Sequence, residues 1–318
     1  MNITGTFILC NMTIKIAIPY RNNLNMGMIE KDERFKIIQD QDEADFIIAQ
    51  STVERPDLIN KTIYIAAEAP RTSHRIWCYE RLDEFKLVVN HNCDNSNHNG
   101  DNSNQIPFTL NKEDHFYQTW ADAYTFKTRE DTTITKRSVF FAGLRGVYES
   151  QITSLAINLT PMRTVIGEYF RDNFEGSKII GRGWGNQVTK VNNWRKDKQE
   201  QIMESEIDFV LALENTAYPG YVTEKIWDGI ACDKVTLYLG APNIEEFIPT
   251  NCFVDLRKWY KDGDFDTESM GKFLRDMTQE EYDKIINAAR EFRKGATGKY
   301  RSLMDNLTIR LMEFMANE

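Results

Sequence analysis

The sequence predicts an α/β protein of two domains, and three observations carry that expectation. Short apolar runs of strand length recur along the chain, separated by segments of mixed helical character. The chain has 318 residues, more than one ordinary core organises. Residues 208–240 read as strand, polar loop, helix and strand, the repeating unit of a parallel sheet.

Taken in order, residues 14–19 (IKIAIP) predict a first strand, and residues 45–49, 62–66 and 85–90 predict three further buried strands. Residues 94–105 (DNSNHNGDNSNQ) have nothing to bury and predict a polar loop. His91 and His98 flank or sit in it, where a solvated loop is favoured over a metal site. Residues 138–143 (SVFFAG) open the second domain, a helix is expected over 148–159, and residues 177–181 predict another strand ahead of the turn GRGWGN. From Thr267 the pattern becomes helical: Tyr282, Ile285, Ile286, Ala289 and Phe292 share one stripe, and Leu303, Leu307, Leu311 and Phe314 share another. The expected boundaries are 1–136, 137–296 and a terminal helix in 297–318.

Hydrophobic residues make up 41% and aromatic residues 12%, which excludes wholesale disorder. A formal net charge of −9 argues against a nucleic-acid partner, so an anionic ligand must be caught by a few local cations. The five cysteines, Cys10, Cys78, Cys93, Cys232 and Cys252, show no zinc spacing and predict reduced thiols in a cytoplasm. No apolar run reaches membrane-spanning length, and the patch at residues 7–10 is too short for a signal peptide. The basic residues Arg290, Arg293, Lys294, Lys299 and Arg301 predict a solvated helix face, with peripheral contact to an anionic membrane as the other reading.

Residues 208–257 are the most informative stretch. The apolar run 209–213 ends in Glu214 and Asn215, a turn with Pro219 and Gly220 follows, and an amphipathic segment begins with Tyr221, Val222, Thr223, Glu224 and Lys225. Ligands of parallel α/β sheets sit outside the carboxyl ends of the strands. Glu214, Asn215, Tyr221, Glu224 and Lys225 are therefore expected to converge on one crevice. A lysine in a first helical turn opposes the helix dipole, which points to an anion as its partner. The other reading is a salt bridge between Glu224 and Lys225, although sequence neighbours within a helix do not face each other.

The run LENTAYPGYVTEKIWDGI resembles the donor-binding core of the α1,3/α1,4-fucosyltransferases, with their "FEN(S)" and "YVTEK" elements. The continuation LYLGAPNIEEFIPTNCFVDLRKW is similar to the following "GxPNxEEFxP" pattern of that family. Two departures are visible: Thr216 replaces a common serine, and the turn at residues 231–234 lacks the usual glycine. The resemblance implies a GT-B architecture, two Rossmann-like domains facing across a cleft with C-terminal helices, the last of which crosses back to the first domain. It also implies an enzyme: an inverting transferase carrying L-fucose from GDP-fucose to a hydroxyl of a glycan acceptor, α1,3-type linkage being favoured. The alternatives are a GT-B transferase for another nucleotide sugar and a non-catalytic nucleotide-sugar-binding module.

Two further residues follow from the resemblance. RGVYESQI is similar to an arginine-led helix of the family, which makes Arg145 a diphosphate ligand; from the residues alone it is an ordinary surface arginine or a fork-like grip. The element EAP at residues 68–70 resembles the family's "E-(S/A)-P", which makes Glu68 the general base, with His74 as a rival. Arg182 in GRGWG is a second candidate cation. The implied donor set is Arg145, Asn215, Tyr221, Glu224 and Lys225, with no metal ligand. Asp262-Gly263-Asp264 has the spacing of a metal-binding DxD, but a solvated loop is the expected identity.

Overall fold

In the computed structural model the described residues are 13–19, 24–50, 53–66, 78, 80–90, 105–107, 125–143, 156–184, 194–204, 206–295 and 299–318. The first lobe is a parallel sheet of six strands: β1 (Ile14–Ala17), β2 (Phe35–Ile38), β3 (Phe46–Gln50), β4 (Thr62–Ile65), β5 (Leu87–Asn90) and β6 (Gln105–Pro107), in the spatial order β2-β1-β3-β4-β5-β6. Helix α1 (Met26–Lys31) lies in the crossover between β1 and β2. Strands β3 and β4 are buried along almost their whole length, as a sheet covered on both faces requires.

The second lobe holds β7 (Val139–Ala142), β8 (Ile157–Asn158), α2 (Thr160–Asn173), β9 (Lys178–Ile180), α3 (Trp194–Glu204), β10 (Phe209–Leu213), β11 (Thr216–Ala217), α4 (Lys225–Ala231), β12 (Val235–Leu239) and β13 (Val254–Asp255). Its main sheet has the order β13-β12-β10-β7-β9, again parallel. A hairpin of β14 (Tyr260–Lys261) and β15 (Asp264–Phe265) follows, then the helices α5 (Thr267–Asp276), α6 (Gln279–Arg293) and α7 (Lys299–Asn317).

Most of the expected helix over 148–159 lies outside the described residues, which resume at Ala156. Residues 157–158 form β8, which pairs antiparallel with β11, and the helix starts at Thr160. The reason is local: Pro161 suits a first helical turn, and the Asn158 side chain accepts the Thr160 N–H at 3.0 Å.

Helix α7 leaves the second lobe and packs on the first sheet. Leu307, Leu311, Met312 and Met315 join Ile16, Ile48 and Ile63 in one core. The backbone N–H of Asn25 donates to Thr308 Oγ1 at 2.9 Å, and its side-chain amide to Asp305 at 2.6 Å. Among the described residues no helix is long and apolar enough to cross a membrane.

Candidate functional site

Each main sheet has a switch point, where successive crossovers leave in opposite directions. In the second lobe it lies between β7 and β10, because the chain passes from β7 to β9 on one side and then to β10 on the other. The crevice outside those two carboxyl ends is the expected ligand position. Glu214 and Asn215 stand at the end of β10, and Gly143 stands at the end of β7.

Glu214 is fully buried. Its carboxylate accepts the Thr223 N–H at 2.8 Å, the Thr223 hydroxyl at 2.9 Å and the Lys225 ammonium at 3.0 Å. Lys225 also donates to Thr223 Oγ1 at 2.7 Å and lies 3.4 Å from Glu224. Burial raises the Glu214 pKa, while Lys225 pulls it down. For Lys225 burial opposes the charge, but Glu214 and Glu224 outweigh it and the ammonium is held above its ordinary pKa. A cation against the helix dipole is thereby kept charged and aimed.

The Glu224–Lys225 contact departs from the expectation for neighbours within a helix. Glu224 caps α4 with helical backbone angles, and its carboxylate lies 3.4 Å from the Lys225 ammonium. Helix α4 is also not amphipathic. Residues 226–231 are all buried, and Trp227 is stacked between Phe126 and Phe292 at ring distances of 5.9 and 5.8 Å. A β-carbon on Gly229 would overlap the Thr236 hydroxyl, so the helix sits hard on β12. The element that presents Lys225 is a rigid core piece.

Asn215 is positioned by a residue that sequence reasoning missed. Arg163, in the first half of α2, is 95% buried, since only 5% of it is exposed, and its guanidinium donates to Asn215 Oδ1. The same guanidinium lies 5.6 Å from the Phe141 ring centroid and fills the space where Gly143 has no side chain. Its positive charge reaches Lys225, since it acts to lower that group's pKa. The signal was present in the sequence: Leu159, Arg163, Ile166, Gly167 and Phe170 lie on one helical face, and a charge within an apolar stripe needs a partner.

Tyr221, expected to line the pocket, packs between the lobes. It is 4% exposed and packs with Tyr218 into an apolar cluster with Val53, Tyr64, Ala66 and Phe85 of the first lobe. The two tyrosines join the donor loop to the facing lobe. Glu68, His74 and Arg145 lie outside the described residues. Ala66, two residues before Glu68 in sequence, is buried in the cluster that holds Tyr221. Arg182 is exposed, while Trp184 of the same turn folds inward onto Gly167 and Phe141.

Two other expectations resolve. Asp262 and Gly263 have φ values of 49° and 92° and form the tight turn between β14 and β15, with Asp264 exposed. Among the described residues no group of three acidic, cysteine or histidine side chains could hold a metal ion. Arg290 and Arg293 are corrected as a solvated or membrane-facing cluster. Arg290 forks onto Asp233, and Arg293 donates to Ile230 O at 2.8 Å and lies 3.4 Å from Asp233. They lock the turn that enters β12, at Asp233, whose φ is 58°.

Residues 177–288 match the family model described as glycosyltransferase family 10 (fucosyltransferase), C-terminal. Over that stretch the chain is similar to family 10. This chain is 42% identical over 55 residues to the α-(1,4)-fucosyltransferase of Arabidopsis thaliana, covering 17% of this chain and 14% of that protein. It is 38% identical over 64 residues to GDP-fucose protein O-fucosyltransferase 3 of Xenopus laevis, covering 20% and 14%. The chain thus matches only about one seventh of the length of these curated relatives, 14% in each. A crystal structure of an α1,3-fucosyltransferase with GDP superposes on the whole chain, covering 100% of it and 94% of that structure, with a TM-score of 0.53 and 15% identity. The GT-B architecture expected from the resemblance is the fold of this chain.

Proposed function

We propose that this protein is an inverting glycosyltransferase that moves L-fucose from GDP-fucose to a hydroxyl of a glycan acceptor, with α1,3-type linkage. The observation that carries this reading is the pairing of two cations at the second-lobe switch point: Arg163, held by Asn215, and Lys225, held by buried Glu214. Their position near the carboxyl ends of β7 and β10, with Lys225 inside the stretch similar to family 10, supports this reading.

In the reaction Glu68 takes the proton of the acceptor hydroxyl as its oxygen attacks the anomeric carbon. The bond from that carbon to the diphosphate breaks on the opposite face, so configuration inverts. Arg163 and Lys225 meet the negative charge that grows on the diphosphate, as preorganised donors. Arg145, two residues beyond Gly143 in sequence, is assigned to the same diphosphate, and Glu224 to ribose or fucose hydroxyls. Two or three protein cations do the work often given to a metal ion, so turnover is independent of divalent cations and survives chelator. The protein acts in the cytoplasm, with no nucleic acid as partner.

The test is incubation with GDP-fucose and an array of β-galactosyl and N-acetylglucosaminyl acceptors, read by mass. The reading expects one acceptor class to gain a single deoxyhexose, with and without EDTA. GDP-fucose that binds and is never turned over would favour the non-catalytic module.

A further inference from the structure

The turn ahead of Thr223 is held by residues of the segments after β12 and β13. Tyr218, Pro219, Gly220 and Tyr221 form a reverse turn, closed by the Tyr221 N–H on Tyr218 O at 3.0 Å. Gly220 has a φ of 73°, the conformation that the third residue of a type II turn requires, and Pro219 suits the second. The turn leaves the Gly220 N–H pointing outward, and Asn243 Oδ1 accepts it at 2.8 Å. Asn243 belongs to the loop after β12.

A single guanidinium pins that loop on both sides of Asn243. Arg257, from the segment after β13, donates to Pro242 O before it and to Glu245 at 2.9 Å after it. Its remaining donors reach Asp255 at 2.9 and 2.7 Å, which fixes the guanidinium plane. The order of support is therefore Asp255, Arg257, the 242–245 loop, Asn243 and the turn. The turn carries Tyr218 and Tyr221 into the first lobe and leads within two residues to Thr223, which holds both Glu214 and Lys225.

We propose that Asn243 and Arg257 are positioning residues for the donor loop, setting the Lys225–Glu224 edge against the diphosphate sugar and against the facing lobe. This rests on the reading of the crevice as a GDP-sugar site. A misplacement of about 1 Å in such a site is enough to cost up to about a hundredfold in rate or affinity.

The experiment compares wild type, Asn243→Ala, Asn243→Asp and Arg257→Lys by calorimetry with GDP, by donor KM and kcat, and by amide hydrogen exchange at Gly220. Asn243→Ala is expected to speed Gly220 exchange and to weaken GDP binding and raise donor KM about tenfold, with kcat changed by no more than about threefold. Asn243→Asp keeps the acceptor oxygen and is expected to restore both exchange protection and GDP affinity. Arg257→Lys cannot span three partners and is expected to fall between them; it also serves as the second probe if Asn243→Ala does not fold. Variants that bind GDP as wild type does, or an Asn243→Asp protein no better than Asn243→Ala, overturn the proposal. Wild type that fails to bind GDP overturns the donor-site reading, and this proposal with it.

Discussion

The two lobes share one strand order and differ in what they bury. Among the described residues through Pro107, Thr62 is the one polar side chain in the interior, and the ion pairs of that lobe, such as Arg55 with Asp42, are exposed. The second lobe buries Arg163, Lys198, Glu214, Asp228 and Asp233, each with a partner. A buried charge is tolerated only when it is paired and hydrogen-bonded. The same topology therefore carries two interiors: one almost wholly apolar, and one with fixed, paired charges around its sheet.

The largest expected effect tests the division of labour between the lobes. Glu68→Gln should lower turnover about 10²–10⁴-fold. GDP affinity should be unchanged within about threefold, because the proposed base acts on the acceptor hydroxyl and not on the nucleotide. Stopped assays and calorimetry on one preparation check both. A Glu68→Gln protein with wild-type turnover removes the first lobe from the chemistry.

Next in size is the buried cation. Arg163→Ala should lower kcat/KM about 10²–10³-fold, comparable to Lys225→Ala, since each removes a preorganised donor from the leaving group. Arg145→Ala measured beside them shows whether the loop after β7 adds a third. Equal, small losses for Arg163 and Lys225 would break the claim that the second lobe buries charge for a ligand.

A stability contrast sharpens the same comparison. Lys198 and Asp228 are 2.6 Å apart with side chains 3% and 7% exposed. Asp228→Ala should destabilise by about 3–5 kcal/mol, because it strands a buried ammonium. Asp42→Ala in the first lobe should leave the denaturation midpoint where it is, because exposed pairs contribute little.

The smallest effect is in pH. Burial lowers the Lys234 pKa from 10.5 to about 8. Between those values the unfolded chain holds a proton that the native lysine has released, so native stability rises with pH across that window. The gain is at most about 3 kcal/mol. Lys234→Met should lose that slope, read as the difference between the two melting curves from pH 8 to 10.

Much of this was legible in the sequence. Strands β3, β4, β10 and β12 are apolar runs that only a covered sheet explains, and Glu214, Glu224 and Lys225 converge as their position after β10 requires. Strand β2 was missed because FKII is short and lies at the edge of the sheet. Arg290 and Arg293 read as a surface because the partner of Arg290, Asp233, is 57 residues away in the chain. The packing of Tyr221 against the opposite lobe was not legible, because its partners Val53, Tyr64 and Phe85 are far away in the chain. Arg163 was overlooked because the expected helix ended at 159, whereas α2 begins at Thr160. Local pattern fixes elements, and contacts across the chain decide which side chains remain available.

The central claim is that Arg163 and Lys225 bind a guanosine diphosphate without a metal. Calorimetric titration of GDP and UDP into wild type and Arg163→Ala, in EDTA, tests it most directly. The account predicts GDP binding by wild type, at least about tenfold weaker in the variant, and little response to UDP. Equal affinity of the two proteins for GDP, or binding that appears only with added divalent cation, would contradict it.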